Sequence, residues 1–320
     1  MNTSLLLENL TNPALLFFIL GIITVYVKSD LEIPPSSSKF ISLYLLFAIG
    51  FKGGQELAHE EFTSEIMWSI VFGMAISILI PLYSFFILRR RLNVYDSAAI
   101  AAAYGSVSAV TFVTAVSYLE MQNMVFSGHM VAIMALMESP AIIAGMLLLA
   151  RFNKEDGSGD IKTKNVIHHS LTNGSVILIL GSLVIGFLSS DLQAAGLKTF
   201  TNDLFKGFLA IFLLDMGITS GKKLNTLFKQ GWFPFGFGVL IPLINGIIVA
   251  YSSSMVTDSV SNRFIFAVLA ASASYIAVPA AMKIAVPKAN PGLYLPMALG
   301  VTFPINITIG FPIYLFFASL

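Results

Sequence analysis

Two short runs of small, hydroxyl-bearing residues are the chain's best candidates for chemistry. The first, GSVSAVTF, offers Gly105, Ser106, Ser108 and Thr111; the second, SASYIAVP, offers Ser272, Ser274 and Tyr275. Each lies inside an apolar segment. Glycine at mid-helix costs about 1 kcal/mol against alanine. Serine there bonds backbone carbonyls and bends the helix. Pro279 removes a backbone donor and frees a carbonyl near Tyr275. One run alone is explained by close packing through small residues, common between membrane helices. Two runs at matching positions argue for more. They turn a pair of half-helix N-termini toward each other, where free N–H groups and dipoles favour an anion. The hydroxyls add donors, and the freed carbonyls suit a hard cation such as sodium.

Acidic residues in apolar segments come next. Glu138 and Asp215 each cost about 2.5–3.5 kcal/mol at a helix centre, so both must face protein or water. Either would serve as a cation ligand or proton carrier, or as a structural hydrogen-bond acceptor. Glu138 precedes Ser139 and Pro140, and the proline is expected to open the backbone around 136–139 and expose carbonyls to an ion. Thr302 and Pro304 mirror Glu138 and Pro140 in the second half, with Asn306 one turn on. Lys52 is a conceivable partner for Asp215, although the two are expected toward opposite membrane sides. No metal-ligand spacing, nucleotide loop or nucleophile motif is present. The chain therefore reads as no enzyme and needs no resident cofactor.

The elements that position these residues follow from composition. Hydrophobic residues make up 56% of the chain and charged ones 11%, with a mean hydropathy of +0.84, against roughly 25% charge in soluble domains. This predicts an all-α polytopic membrane protein and excludes a barrel of alternating short strands. A net charge of +1 argues against a nucleic-acid surface. Ten apolar segments fit spans of about 20 residues: roughly 13–28, 40–58, 65–88, 97–118, 127–150, 169–189, 204–221, 232–252, 263–285 and 295–318. The first lacks a basic flank and a cleavage site, so it reads as a retained span.

The spans fall into two repeats of five, residues 1–150 and 169–320, joined by a polar linker at 151–168. LFAIGFKGGQEL at 46–57 matches LLDMGITSGKKL at 213–224, aligning Gly50 and Gly54 with Gly217 and Gly221. Five is odd, so the second repeat must enter the membrane inverted, with segments four and nine interrupted and crossed. Paired weak points of this kind point to a secondary transporter. Fourteen of the eighteen Lys and Arg residues fall in odd-numbered loops. That bias places both termini outside and the linker in the cytoplasm of a cell (inner) membrane.

The sequence resembles the sodium-dependent bicarbonate transporter family, nearly end to end. The likeness rests on IGFKGGQEL, GSVSAVT, MESPA, LLDMG, SASYIAVPAAM and VPKANPGLY. It implies ten helices in two inverted repeats. Helices one, two, six and seven form a gate and oligomer domain, and the other six form a core where four and nine cross. It also implies trimers that carry bicarbonate inward with sodium. Cyanobacterial members bind a PII-like regulator on the cytoplasmic face; the linker here is much shorter. Ala273 and Tyr275 stand where those members carry Ser and Asp, and Glu138 and Ser139 where they carry Asp and Ile.

The expected function is sodium-coupled symport of bicarbonate or another small carboxylate by alternating access. Gly105, Ser106, Ser108, Thr111, Ser272 and Ser274 would hold the anion. Glu138, Tyr275, Thr302, Asn306 and Asp215 would hold the cation, largely with backbone carbonyls. A cation/proton antiporter using Asp215 or Glu138 is the alternative. A channel or membrane signalling module fits less well, because a channel needs a continuous polar lining.

Overall fold

A computed structural model of the chain describes residues 13–153, 174–228, 230–275, 278–279, 281–282 and 286–320. Apart from its first three residues, the expected linker at 151–168 lies outside the described residues, as do Lys229 and Lys283. The described residues are helical and contain no strand. The helices are α1 (Pro13–Tyr26), α2 (Pro35–Ala58), α3 (Ser64–Leu88), α4 (Val94–Gly105), α5 (Ala109–Met121) and α6 (His129–Phe152). Beyond the linker come α7 (Gly174–Leu188), the short α8 (Asp191–Ala195), α9 (Phe205–Phe228), α10 (Trp232–Ser252), α11 (Val260–Ala271) and α12 (Pro291–Ala318). Among the described residues, six spans are long and apolar enough to cross a membrane: Ser64–Leu88, Val94–Met121, His129–Phe152, Thr199–Leu224, Trp232–Met255 and Pro291–Ala318. Shorter apolar helices occupy Leu15–Tyr26, Ile177–Leu188 and Val260–Ala271. α2 is long, but Lys39, Lys52, Glu56 and a serine-rich first turn lower its hydropathy.

Close helix pairs dominate the packing, and α9 also packs on the first half of α12, where the Ser220 hydroxyl donates to the Leu299 carbonyl. α1 lies along α9 and α2 along α7, with α2 also touching α9. The repeated glycines make these contacts. A Cβ on Gly50 would come 2.6 Å from the Ile179 carbonyl oxygen of α7, and one on Gly54 would overlap the Leu183 carbonyl. Gly217 does the same on α1: its Cβ would overlap the Phe18 carbonyl and come 3.0 Å from Gly21 Cα. Backbones that touch this closely hold helices together where no hydrophobic drive separates protein from lipid.

The remaining helices form two triplets. α3, α4 and α6 pack on one another, as do α10, α11 and α12. α5 leaves its own triplet to lie against α11. The two prolines behave differently. α6 runs as an unbroken α-helix past Pro140, so the expected opening over 136–139 does not occur. Pro140 lacks only the N–H that would have bonded the Leu136 carbonyl. α12 is wound instead with π turns at Met297–Thr302 and Asn306–Gly310, on either side of Phe303–Ile305.

Candidate anion site at two broken helices

The first serine run is a break in the chain's fourth apolar segment. α4 ends at Gly105; Ser106 is extended (φ −82°, ψ 172°), and α5 starts after Ser108 (φ −101°, ψ 108°). Gly105 ends the helix against α3: a Cβ there would overlap the Pro81 ring and lie 3.0 Å from the Ser77 carbonyl oxygen. Ser108 caps the new helix by accepting from the Thr111 N–H at 3.1 Å. The second run repeats the design. α11 ends at Ala271, Ser272 is extended (φ −84°, ψ 166°), and the Ser274 hydroxyl accepts from the Val278 N–H at 3.3 Å.

The two breaks meet. The Ser108 N–H donates to Ser272 Oγ at 3.0 Å, and the Ser274 N–H donates to the Ala103 carbonyl at 2.8 Å. Ser106, Ser108, Thr111, Ser272 and Ser274 are all buried, and the cross-bonds bring their two segments together.

The carbonyls that end α11 and the Ser272 hydroxyl are occupied. Ser272 Oγ accepts from Ser108 and donates to the Leu269 carbonyl at 2.9 Å. Asn245 Nδ2 donates to the Ala270 carbonyl at 3.4 Å, and Asn306 Nδ2 to the Ala271 carbonyl at 2.7 Å. Asn306 Oδ1 accepts from the Tyr314 hydroxyl at 2.8 Å. Asn245 Oδ1 accepts from Tyr83. The orphan carbonyls expected at a helix C-terminus are thus capped by side chains from α10 and α12. Thr302 ties three helices: its hydroxyl donates to the Gly238 carbonyl and accepts from Tyr104, each at 2.8 Å.

The first break is different. Ser106 Oγ is fully buried and has no hydrogen-bond partner among the described residues. The first two N–H groups of α5, on Ala109 and Val110, have no acceptor among them, and neither does the Thr111 hydroxyl. A buried unpaired donor costs about 1–3 kcal/mol. Free donors at a helix N-terminus suit an anion.

The acids divide likewise. Asp215 is buried on α9 and accepts from Ser38 at the start of α2. It does not pair with Lys52, whose partner is Glu120. Glu138 is buried, and its carboxyl has no hydrogen bond or ion pair among the described residues. Gly145 of α6 packs on Ala98 and Ala102 of α4, and α6 runs opposite to α4. Glu138, about two turns before Gly145, therefore lies level with the break after Gly105. Tyr275 is partly buried, its hydroxyl 3.8 Å from Met216 Sδ and against Ser108, with the Asp215 charge close by.

Sequence reasoning missed three features: the Asn caps on α11, the Tyr104–Thr302–Gly238 clamp, and the Lys52–Glu120 pair. Asn245 and Asn306 are polar residues in apolar sequence, but nothing local shows which carbonyl each one caps.

Residues 13–319 match the Na+-dependent bicarbonate transporter superfamily, and the chain belongs to that family. No match to a curated protein was found.

Proposed function

We propose that this member of the Na+-dependent bicarbonate transporter superfamily is a secondary symporter. It carries bicarbonate, or another small carboxylate, together with sodium by alternating access at the crossing of the two broken helices. Ten segments span a cell membrane as two inverted repeats, 1–150 and 169–320, with both termini outside and residues 151–168 in the cytoplasm. α1, α2, α7 and α9 form the gate, and the two triplets with α5 form the part that moves against it. A homotrimer held through the gate helices fits the exposed apolar faces of α1 and α7.

One observation carries the site assignment: Ser106 Oγ, an unpaired hydroxyl at zero exposure, beside two free amides at the start of α5. The anion accepts from Ser106, Thr111 and the amides of Ala109 and Val110. Ser108, Ser272 and Ser274 hold the two breaks in register and shape the pocket, and Gly105 lets α3 approach. Glu138 supplies the negative charge for the coupling cation, which is cargo. Thr302 and Asn306 hold the walls through bonds already made, and Asp215 stands at the gate with Tyr275.

The test is sodium-driven uptake of labelled bicarbonate into proteoliposomes, with acetate and pyruvate as competitors. Ser106→Ala is expected to weaken anion affinity by about tenfold or more, since a bond to a charged group contributes about 1.5–3 kcal/mol. Its thermal stability should stay at or above that of the parent, because an unpaired buried hydroxyl is removed. Unchanged affinity would move the anion away from the first break. Uptake indifferent to sodium would overturn the coupling.

The buried, unpartnered Glu138 also favours a second scheme, in which this carboxyl carries a proton in exchange for a cation. Uptake that follows an imposed pH gradient without sodium would select it.

A further inference from the structure

A polar cavity lies away from the crossing. That cavity, of about 450 Å³, lies between α2, α5 and the turn leading into α9. Its floor is apolar: Ala48 and Ile49 on α2 and Val116 on α5. One turn above the floor, Lys52 of α2 is paired with Glu120 of α5. Lys206 and Asn202 sit at the mouth and are exposed.

A lysine two turns inside an apolar helix is costly and calls for a functional account. Here it has a counter-ion and is open to solvent. At about 30 Å³ per molecule, the cavity holds on the order of fifteen waters. The paired side chains keep 35% and 27% of their exposure, and an ion pair this wet is held weakly. Glu120 is itself a carboxylate, so Lys52 already displays the contact that a free carboxylate or bicarbonate would make. Lys206 adds a second cation that forms no ion pair among the described residues. Asp203, also in the lining, is exposed and pairs with neither lysine.

We propose that this cavity is a separate anion-capture site, in which Lys52 binds a small carboxylate or bicarbonate and Glu120 is the internal carboxylate that the anion displaces. The proposal rests on the reading above only in taking the cargo to be a small anion. In the proposed topology the cavity opens outward. Thr111 and Ser108 lie five and eight residues below Val116 on the same helix, about 7 and 12 Å deeper at 1.5 Å per residue. Glu120, the partner of Lys52, stands four residues above Val116, so an anion there lies about 14 Å above Thr111, the nearest donor of the first break. Displacing Glu120 also releases a bond between α2 of the gate and α5 of the moving part.

The chain has no cysteine, so a single Asn202→Cys reports on the mouth without further changes. Modification by a membrane-impermeant maleimide is followed in proteoliposomes, with bicarbonate or with chloride at equal ionic strength. Bicarbonate is expected to slow modification at least threefold. Lys52→Met should abolish the protection and Lys52→Arg retain it. Glu120→Gln should give the same protection at a lower bicarbonate concentration. Protection should persist in a Ser106→Ala background. No protection with Lys52 intact, protection that survives Lys52→Met, or equal protection by sodium chloride alone would each overturn the site. Protection lost with Ser106→Ala alone would assign it to closure driven from the crossing, which overturns the capture site and leaves the crossing intact. Protection that persists in a protein failing to take up bicarbonate would leave the capture site standing and remove the transport reading instead.

Discussion

The two broken helices share a backbone plan and differ in how their polar atoms are used. At the α11 break the Ala270 and Ala271 carbonyls receive an asparagine side chain and the Ser272 hydroxyl holds two bonds. At the α4–α5 break the Ser106 hydroxyl is unpaired, two amides are free, and Glu138 stands level with it without a partner. Among the described residues, the second half thus has its hydroxyl and helix-end carbonyls paired, whereas the first half leaves a hydroxyl and two helix-start amides without partners. Leaving a buried hydroxyl unpaired costs about 1–3 kcal/mol, and Ser106 shares that state with Ser69, Ser84 and His129 Nε2. What sets Ser106 apart is the helix start beside it, whose first two amides are also without acceptors.

The sharpest way to break this comparison is at Glu138. If its charge serves a cation that visits the first half, Glu138→Gln should raise the sodium concentration for half-maximal uptake by about tenfold to a hundredfold. That range follows from about 1.5–3 kcal/mol for an interaction with a charged group. Anion affinity in saturating sodium should hold. An unchanged sodium response would reduce Glu138 to a structural acid and leave the asymmetry without a functional meaning.

The second-half counterpart is Asn306. Asn306→Ala leaves the Ala271 carbonyl without its side-chain partner and the Tyr314 hydroxyl with only its longer bond, 3.4 Å to the Pro242 carbonyl. It should lower stability by about 1–3 kcal/mol, read as a fall in the detergent melting temperature, with little change in sodium response. The comparison sharpens if the two variants separate cleanly, with Glu138→Gln altering coupling alone and Asn306→Ala altering stability alone. An Asn306→Ala protein of normal stability and altered sodium dependence would return this residue to the cation set and undo the division between the halves.

Much of this architecture is legible in the residues themselves. Gly105, Ser106 and Ser108 mark the first break, and Ser272 to Ser274 the second, because small hydroxyl residues inside an apolar helix interrupt it by local chemistry. The Gly50–Gly54 and Gly217–Gly221 match marks the repeat. What those glycines do is not legible: they seat α7 on α2 and α1 on α9, partners far off in sequence. The same distance hides which hydroxyls are occupied. Ser106 and Ser272 look equivalent as letters, yet one is unpaired and the other bonded on both sides, once to the local Leu269 carbonyl and once to Ser108, 164 residues away. Lys52 shows in the sequence as a charge out of place. Its partner Glu120 is 68 residues off and looks like an ordinary helix-end acid. Pro140 misleads for the opposite reason, since a proline in a helix well packed on α3 and α4 removes one bond and opens nothing further.

The smallest expected effect is at Ser272. Read from sequence, Ser106 and Ser272 share one ligand, so the two alanine variants should each lose affinity and be coupled in the double mutant. The structure points elsewhere. Ser272→Ala removes a bond to the Leu269 carbonyl, but that carbonyl still receives the Ser272 N–H at 3.3 Å, so no acceptor is stranded. The Ser108 N–H loses its acceptor and becomes one more free donor beside the pocket. The loss of a neutral hydrogen bond and the gain of a donor act in opposite directions on anion binding. Affinity in Ser272→Ala is therefore expected to stay within about threefold of the parent, near the ~0.5 kcal/mol low end for a neutral hydrogen bond. Adding it to Ser106→Ala should shift affinity by no more than that again. A tenfold loss in Ser272→Ala, with strong coupling to Ser106, would show that both halves hold the anion and that the bond between Ser108 and Ser272 is exchanged for the ligand during transport.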